Sequence, residues 1–131
     1  MGRRQELRVS GQPEPLSHYT DAVRAGDVLF VSGCIAVDET GRLVGGDDVV
    51  AQAEQVFASI GAVLAAGGAA PKDVVKVTVF LTDVDDRARI NPVRQRFFGQ
   101  SRPASTLVEV SRLAVPGAKI EVEAVALVPS A

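Results

Sequence analysis

The chain of 131 residues has no tryptophan and only one tyrosine, one histidine and one cysteine. One histidine excludes a multi-histidine metal site, and any Ser-His-Asp or Cys-His arrangement would have to use His18. One cysteine excludes an internal disulfide and fits a reducing compartment. The sequence also has no Cys-X-X-Cys, His-Glu-X-X-His or phosphate-binding glycine loop. Few classes of catalytic site therefore remain.

Two further absences concern partners and location. The net charge of −2 provides no excess of basic residues, so we expect no nucleic-acid partner. No run approaches the roughly 20 uninterrupted apolar residues of a membrane-spanning helix, so we expect no membrane partner. Met1-Gly2-Arg3-Arg4 is not followed by an apolar segment, so no secretory signal is expected and the predicted location is cytoplasmic. The length and the 47% hydrophobic content fit one domain over residues 1–131.

The middle of the chain carries the clearest local pattern. Asp47 or Asp48 is a candidate helix N-cap, and Gly67-Gly68 is a candidate C-terminal end. Between them, apolar residues recur at helical spacing and predict one buried helix face: Val49, Ala53, Val56, Phe57, Ile60 and Leu64. The β-branched run Val74–Leu81 predicts a central strand.

Shorter patterns predict the remaining elements. Ala25-Gly26-Asp27 predicts a hairpin turn, and Leu7-Arg8-Val9 is a short alternating segment. The stretch from Asp83 to Arg89 is polar and turn-like, and Asn91-Pro92 predicts the start of a second helix that ends at Phe98. Two alternating strands complete the chain, joined by a turn that contains Pro116-Gly117.

This order of elements predicts an α+β fold, a mixed sheet with two helices on one face. The other face then has to be covered. Val125 and Leu127 place apolar side chains on the outer face of the last strand, so we expect a second subunit to cover it.

Four blocks of sequence together resemble the Rid (reactive intermediate deaminase) family. They are His18-Tyr19-Thr20-Asp21-Ala22-Val23, Val31-Ser32-Gly33, Val77–Asp83 with Asn91, and the two C-terminal strands. The resemblance runs from about Pro15 to Ala126. It implies a chorismate-mutase-like fold that forms a homotrimer with clefts between subunits. It also implies hydrolysis of reactive imines or enamines to ketones and ammonia, without metal or organic cofactor.

The resemblance also implies which residues form the site for a small-molecule substrate. Glu121 matches the family glutamate that positions the attacking water, and Tyr19 matches a loop tyrosine that closes over the substrate. The other matching positions are Ser32, Gly33, Asn91, Ser105 and Leu107. Leu107 stands where the family has a small or sulfur-bearing residue, which implies a narrower and more apolar cleft.

Ser105 departs from the family pattern in a way that affects binding. The family has an arginine there, which holds the substrate carboxylate through a planar pair of donors. Serine offers one neutral hydroxyl, so either the substrate lacks the carboxylate or another cation replaces the arginine. Arg94, Arg102 and Arg112 are near in sequence, but none occupies the matching strand position.

Several residues also have simpler interpretations. Asn91 can act as the cap of the helix begun by Pro92, and Cys34 can be a buried small residue. Strand alternation places Glu121 and Glu123 on one face, which can be a solvated face. At the level of function, the alternative is a non-catalytic trimeric binding protein on the same scaffold. Ribonuclease activity, sometimes attached to the family, fits the acidic balance poorly.

Overall fold

A computed structural model describes residues 3–130 and shows a six-stranded sheet in the order β1-β2-β3-β6-β4-β5. Only β4 and β5 run parallel, and all other neighbours are antiparallel. The predicted mixed α+β fold is confirmed. The elements are β1 (Arg4–Leu7), β2 (Ala22–Ala25), β3 (Val28–Ile35), α1 (Val49–Ala66), β4 (Val74–Leu81), α2 (Arg87–Phe98), β5 (Ala104–Glu109) and β6 (Ile120–Leu127).

Helix α1 forms as the sequence predicts. The Asp48 carboxylate accepts hydrogen bonds from the backbone N–H groups of Val50 and Ala51, which have no partner inside the helix. All the apolar residues predicted for the inner face are buried. Gly67 caps the C-terminal end, and Gly68 follows with a φ of 87°, a conformation that favours glycine.

Helix α1 also has the length and the mean hydropathy, 1.5, that a membrane span requires by composition. Within the described part of the chain it alone passes that test. Half of this segment is buried inside the domain, where it packs on β3 and β6. It is the core helix of the fold, and that role accounts for its apolar character.

Helix α2 begins earlier than predicted. The expectation that Asn91 caps a helix starting at Pro92 is wrong, because the helix begins at Arg87 and Pro92 lies inside it. The earlier start brings Ile90 into the first turn of the helix, where its side chain is 0% exposed and packs in the core. A proline in the second turn removes one backbone hydrogen bond, which burial of a large apolar residue offsets.

The structure adds detail to two of the sequence patterns for strands. Strand β1 ends at Leu7, because the segment after it bonds to a side chain: the Asp21 carboxylate accepts from the backbone N–H of Val9 at 2.7 Å and pairs with Arg8. The two C-terminal strands are joined as predicted but are not neighbours in the sheet. Strand β4 lies between β5 and β6, a pairing that local sequence patterns do not specify.

The two faces of the sheet differ in character. Alternate residues of β4 and β6 are buried under the helices, among them Val79 and Val122. The opposite face, here called the open face, carries Phe30 at 49% and Leu127 at 50% exposed, together with Glu121. Large apolar side chains left exposed on one side of a sheet fit the expectation that another subunit covers it.

Candidate functional site

A β-bulge in β3 creates the centre of the candidate site. Val31 pairs with Ala124 and Cys34 pairs with Val122, so β3 has one residue more than β6 between these two pairs. Bulges of this kind often occur beside active sites. A Cβ atom on Gly33, in the bulge, would lie 2.0 Å from Oε2 of Glu121. The absence of a side chain at Gly33 therefore lets the Glu121 carboxyl group lie directly against β3.

Glu121 is a half-buried carboxyl group on the open face. Strand alternation in β6 places it there with Glu123, while Ile120 and Val122 face the helices, as predicted. Burial raises the pKa of Glu121 above its ordinary value, and the negative charge of Glu123 raises it further. A carboxyl group with a raised pKa is a stronger base once it is deprotonated, which suits proton transfer.

The loop before β2 is fastened to the bulge. The Ser32 hydroxyl donates to the carbonyl oxygen of Thr20 at 2.6 Å, and the Ser32 N–H donates to the carbonyl oxygen of Asp21 at 3.0 Å. The Tyr19 hydroxyl accepts from the backbone N–H of Leu16 at 3.1 Å. Ser32 therefore positions the loop, and the Tyr19 ring stays 46% exposed above the bulge.

These residues line a cleft of about 270 Å³ on the open face. Its size is near the lower end for small-molecule sites, so it suits a ligand of few atoms. The structure thus brings together four of the predicted site residues. The lining residues are Leu16, Ser17, Tyr19, Ser32, Gly33, Ile35, Ala114 and Glu121.

Cys34 follows the bulge but is unsuited to act as a nucleophile. Burial, with the charges of Asp21 and Glu121 as smaller causes, raises the pKa of its thiol to about 12. The thiolate is the reactive form, so this sulfur is almost entirely unreactive at neutral pH. Its thiol donates to the Ser32 carbonyl oxygen at 3.6 Å. The structure supports its interpretation as a small residue packed against the core, although Cys34 is only partly buried.

The remaining predicted residues lie elsewhere in the chain. Ser105 pairs with Val77, which pairs with Ala124, so Ser105 is on the face that the helices cover. Glu121 is on the opposite face and two strands away, about 10 Å at normal strand spacing. Leu107 packs against the core from β5. Within a single chain, Ser105 therefore does not lie in the cleft beside Glu121.

Ser105 instead contacts a cation from α2. Nη2 of Arg94 donates a hydrogen bond to the Ser105 hydroxyl oxygen at 2.9 Å. Arg94 is near Ser105 in sequence but lies outside the matching strand position. Its helical phase would have revealed it, because it lies on the same face as the buried residues Ile90 and Phe98. Asn91, one turn earlier, is exposed.

Among the residues that the structure describes, the acidic and sulfur side chains do not form a metal site. In residues 3–130, no group of three or more histidine, cysteine, aspartate or glutamate side chains is arranged to hold a metal ion. The chemistry available in the cleft is that of a carboxyl group, hydroxyl groups and backbone.

Comparison with known proteins covers almost the entire chain. The profile of the family described as endoribonuclease L-PSP matches residues 9–128. RutC family protein PH0854 from Pyrococcus horikoshii is 45% identical over 115 residues, which are 87% of this chain and 90% of that protein. The 3-aminoacrylate deaminase RutC from Acinetobacter baylyi is 37% identical over 116 residues, 88% and 91% of the two chains. The crystal structure of Escherichia coli TdcF with bound serine superposes with a TM-score of 0.86 at 33% identity, covering 94% and 98%.

Proposed function

Because the chain belongs to the Rid family, whose profile is described as endoribonuclease L-PSP, we propose that it is a deaminase. Its substrate is a reactive imine or enamine of a small molecule, which it hydrolyses to a carbonyl compound and ammonia. Relatives named 3-aminoacrylate deaminase and reactive intermediate deaminase support this class of reaction. The observation that carries the proposal is the Glu121 carboxyl group, which lies on the Gly33 bulge inside a cleft.

Glu121 is the proton acceptor and donor of the proposed reaction. Its carboxylate takes a proton from a water molecule while the water oxygen bonds to the carbon of the protonated imine. The resulting carbinolamine nitrogen then takes up the proton that Glu121 received, and the C–N bond breaks. The hydroxyl proton passes to the departing nitrogen, so ammonia leaves in its protonated form with a carbonyl product. An enamine first takes up a proton on carbon to give the imine. The net reaction adds one water and releases one ammonia, and Glu121 returns to its starting state.

The complete site requires two copies of the chain. One copy supplies the cleft of Tyr19, Ser32, Gly33 and Glu121 on the open face, and a neighbour supplies the edge strand β5 with Ser105. The separation of these groups within one chain and the exposed apolar side chains of the open face both support this arrangement. The assembly implied by the family resemblance is a homotrimer with three such clefts.

The decisive test measures hydrolysis of freshly generated 2-imino acids and of 3-aminoacrylate, relative to the rate in buffer. Glu121→Gln keeps the shape of the side chain but removes the base, and should lower kcat by about 10²–10⁴-fold. Glu39→Gln, in an exposed turn, is the matched control and should keep the wild-type rate. If Glu121→Gln hydrolyses these compounds as fast as the wild type, Glu121 is not the base.

The same assay separates the proposal from a binding protein on this scaffold. A wild-type chain that binds a small carboxylate such as pyruvate but never exceeds the rate in buffer would favour the binding protein. Glu121→Gln would then change only affinity.

A further inference from the structure

Arg94 occupies a position in α2 that helical geometry assigns to the core. Successive residues of a helix rotate by about 100°, so Arg94 is about 40° from both Ile90 and Phe98. Both of those residues are buried. A helix position between two buried residues usually carries an apolar side chain. Arginine at this position lowers the stability of the fold, and packing gives no reason for its presence.

The charge of Arg94 is not neutralised within the described chain. Two other arginines of the same helix are paired, Arg89 with Asp86 at 3.2 Å and Arg96 with Glu54 at 3.5 Å. No carboxylate of residues 3–130 forms an ion pair with Arg94, although Arg94 is half-buried. Burial lowers the pKa of its guanidinium, the sign of a cation that has lost water without gaining an anion. Such a group favours binding of an anionic ligand.

The contact with Ser105 shows where that ligand would bind. One N–H group of Arg94 is used by the Ser105 oxygen, and a guanidinium has five. Because Ser105 accepts this bond, its own O–H is free to donate to another group. Ser105 lies on β5, the edge strand of the sheet, and Arg94 contacts it from α2. A ligand or a second copy can therefore approach the two side chains from the outer edge. Lys76, a cation on the neighbouring strand β4, lies on the opposite face and donates to Thr106.

We propose that Arg94 binds the carboxylate of the substrate, with the Ser105 hydroxyl as a second donor. The positive charge missing from position 105 of the strand is supplied from the helix beside it. The substrate class is therefore a carboxylate-bearing imine or enamine, such as a 2-imino acid. The reaction on that substrate rests on the proposed function, whereas binding of the carboxylate does not.

The test combines binding and kinetics in the full-length chain. Pyruvate, the carbonyl product of the simplest methyl-bearing 2-imino acid, is the binding probe. Arg94→Met keeps the length of the side chain and removes the charge. It should weaken pyruvate binding and raise KM for the imino acid by about 10- to 100-fold, as loss of a charge-assisted hydrogen bond predicts. It should change kcat much less, and hydrolysis of the corresponding uncharged 2-imino amide should be unaffected.

Two variants supply the controls. Arg96→Met removes an exposed arginine from the same helix and should leave pyruvate affinity unchanged. Arg94→Met combined with Ser105→Arg returns an arginine to the strand and should restore binding to within about tenfold of the wild type. The melting temperature of Arg94→Met should not fall, because methionine replaces an unpaired half-buried cation on an apolar face.

Each outcome decides one of the two proposals. Equal pyruvate affinity in Arg94→Met and wild type would overturn the role of Arg94, while activity that depends on Glu121 would still support the deaminase. Pyruvate binding that depends on Arg94 without any imine hydrolysis would overturn the deaminase and keep the carboxylate site. A lower melting temperature with no rescue by Ser105→Arg would assign Arg94 to the structure alone and overturn its binding role.

Discussion

The two ends of the proposed site differ in how they relate to the family pattern. At the β3 bulge, Gly33 and Glu121 are the residues that the resemblance implies, and the Glu121 carboxyl group fills the space that a Cβ atom of Gly33 would take. At the edge strand, the resemblance implies an arginine where this chain has Ser105, and Arg94 from α2 donates a hydrogen bond to that serine. The reacting end therefore depends on exact positions. The binding end needs only a positive charge in the right region of space.

The different geometric requirements of proton transfer and of carboxylate binding account for that difference. Proton transfer requires the base within hydrogen-bond distance of one water, so a shift of about 1 Å is costly. A guanidinium that binds a carboxylate can approach from a strand or from a neighbouring helix, provided that the guanidinium and the carboxylate can lie in one plane. Substitutions that move the cation are therefore tolerated more readily than substitutions that move the base.

Mixed assemblies give the largest test of this comparison. Glu121→Gln and Arg94→Met each damage a different half of the site. If the halves come from different chains, unfolding and refolding the two variants together in equal amounts should rebuild an intact site in about a quarter of the clefts. Activity at low substrate concentration should then rise well above that of either variant alone. Recovery to no more than the average of the two variants would show that the two halves act within one chain.

Gly33→Ala tests the bulge with a smaller expected effect. The new methyl group would displace the Glu121 carboxyl group, which is the flexible end of a side chain, so the fold should tolerate it. We expect kcat to fall by about tenfold or more with little change in melting temperature. Combined with Glu121→Gln, Gly33→Ala should cause no further loss, because both act through the same carboxylate. Additive losses would show that Gly33 serves a separate purpose.

Local patterns predicted the parts of this fold that depend on neighbours in sequence. The Asp48 cap, the buried face of α1 and the alternation of β6 each follow from spacing along one element. The start of α2 was missed, because burial of Ile90 outweighs the usual preference of proline for the first helical turn. The resemblance supplied the candidate residues, but their division between two faces depends on strand order.

The contact between Arg94 and Ser105 depends on tertiary structure in the same way. It joins a helix to a strand through their packing, and no spacing in the sequence encodes that distance. The sequence did contain one indication, an arginine in phase with the buried residues of α2. The late start predicted for α2, at Asn91-Pro92, made that phase harder to recognise.

The smallest test concerns how the surroundings of Glu121 set its pKa. Desolvation raises this pKa and the charge of Glu123 raises it further, while the proposed base must be deprotonated to act. The rate should therefore rise with pH as Glu121 loses its proton, and this rise should occur at a higher pH than for an ordinary glutamate. Glu123→Gln removes the repelling charge, so the pKa of Glu121 falls and the rise moves to lower pH. The rate on the high-pH plateau should stay the same, because Glu121 is already ionised there.

The pH dependence of kcat in the wild type and in Glu123→Gln measures this shift, with Glu39→Gln as the control for loss of a distant carboxyl group. An unchanged profile in Glu123→Gln would mean that the group that titrates is not the one on the Gly33 bulge.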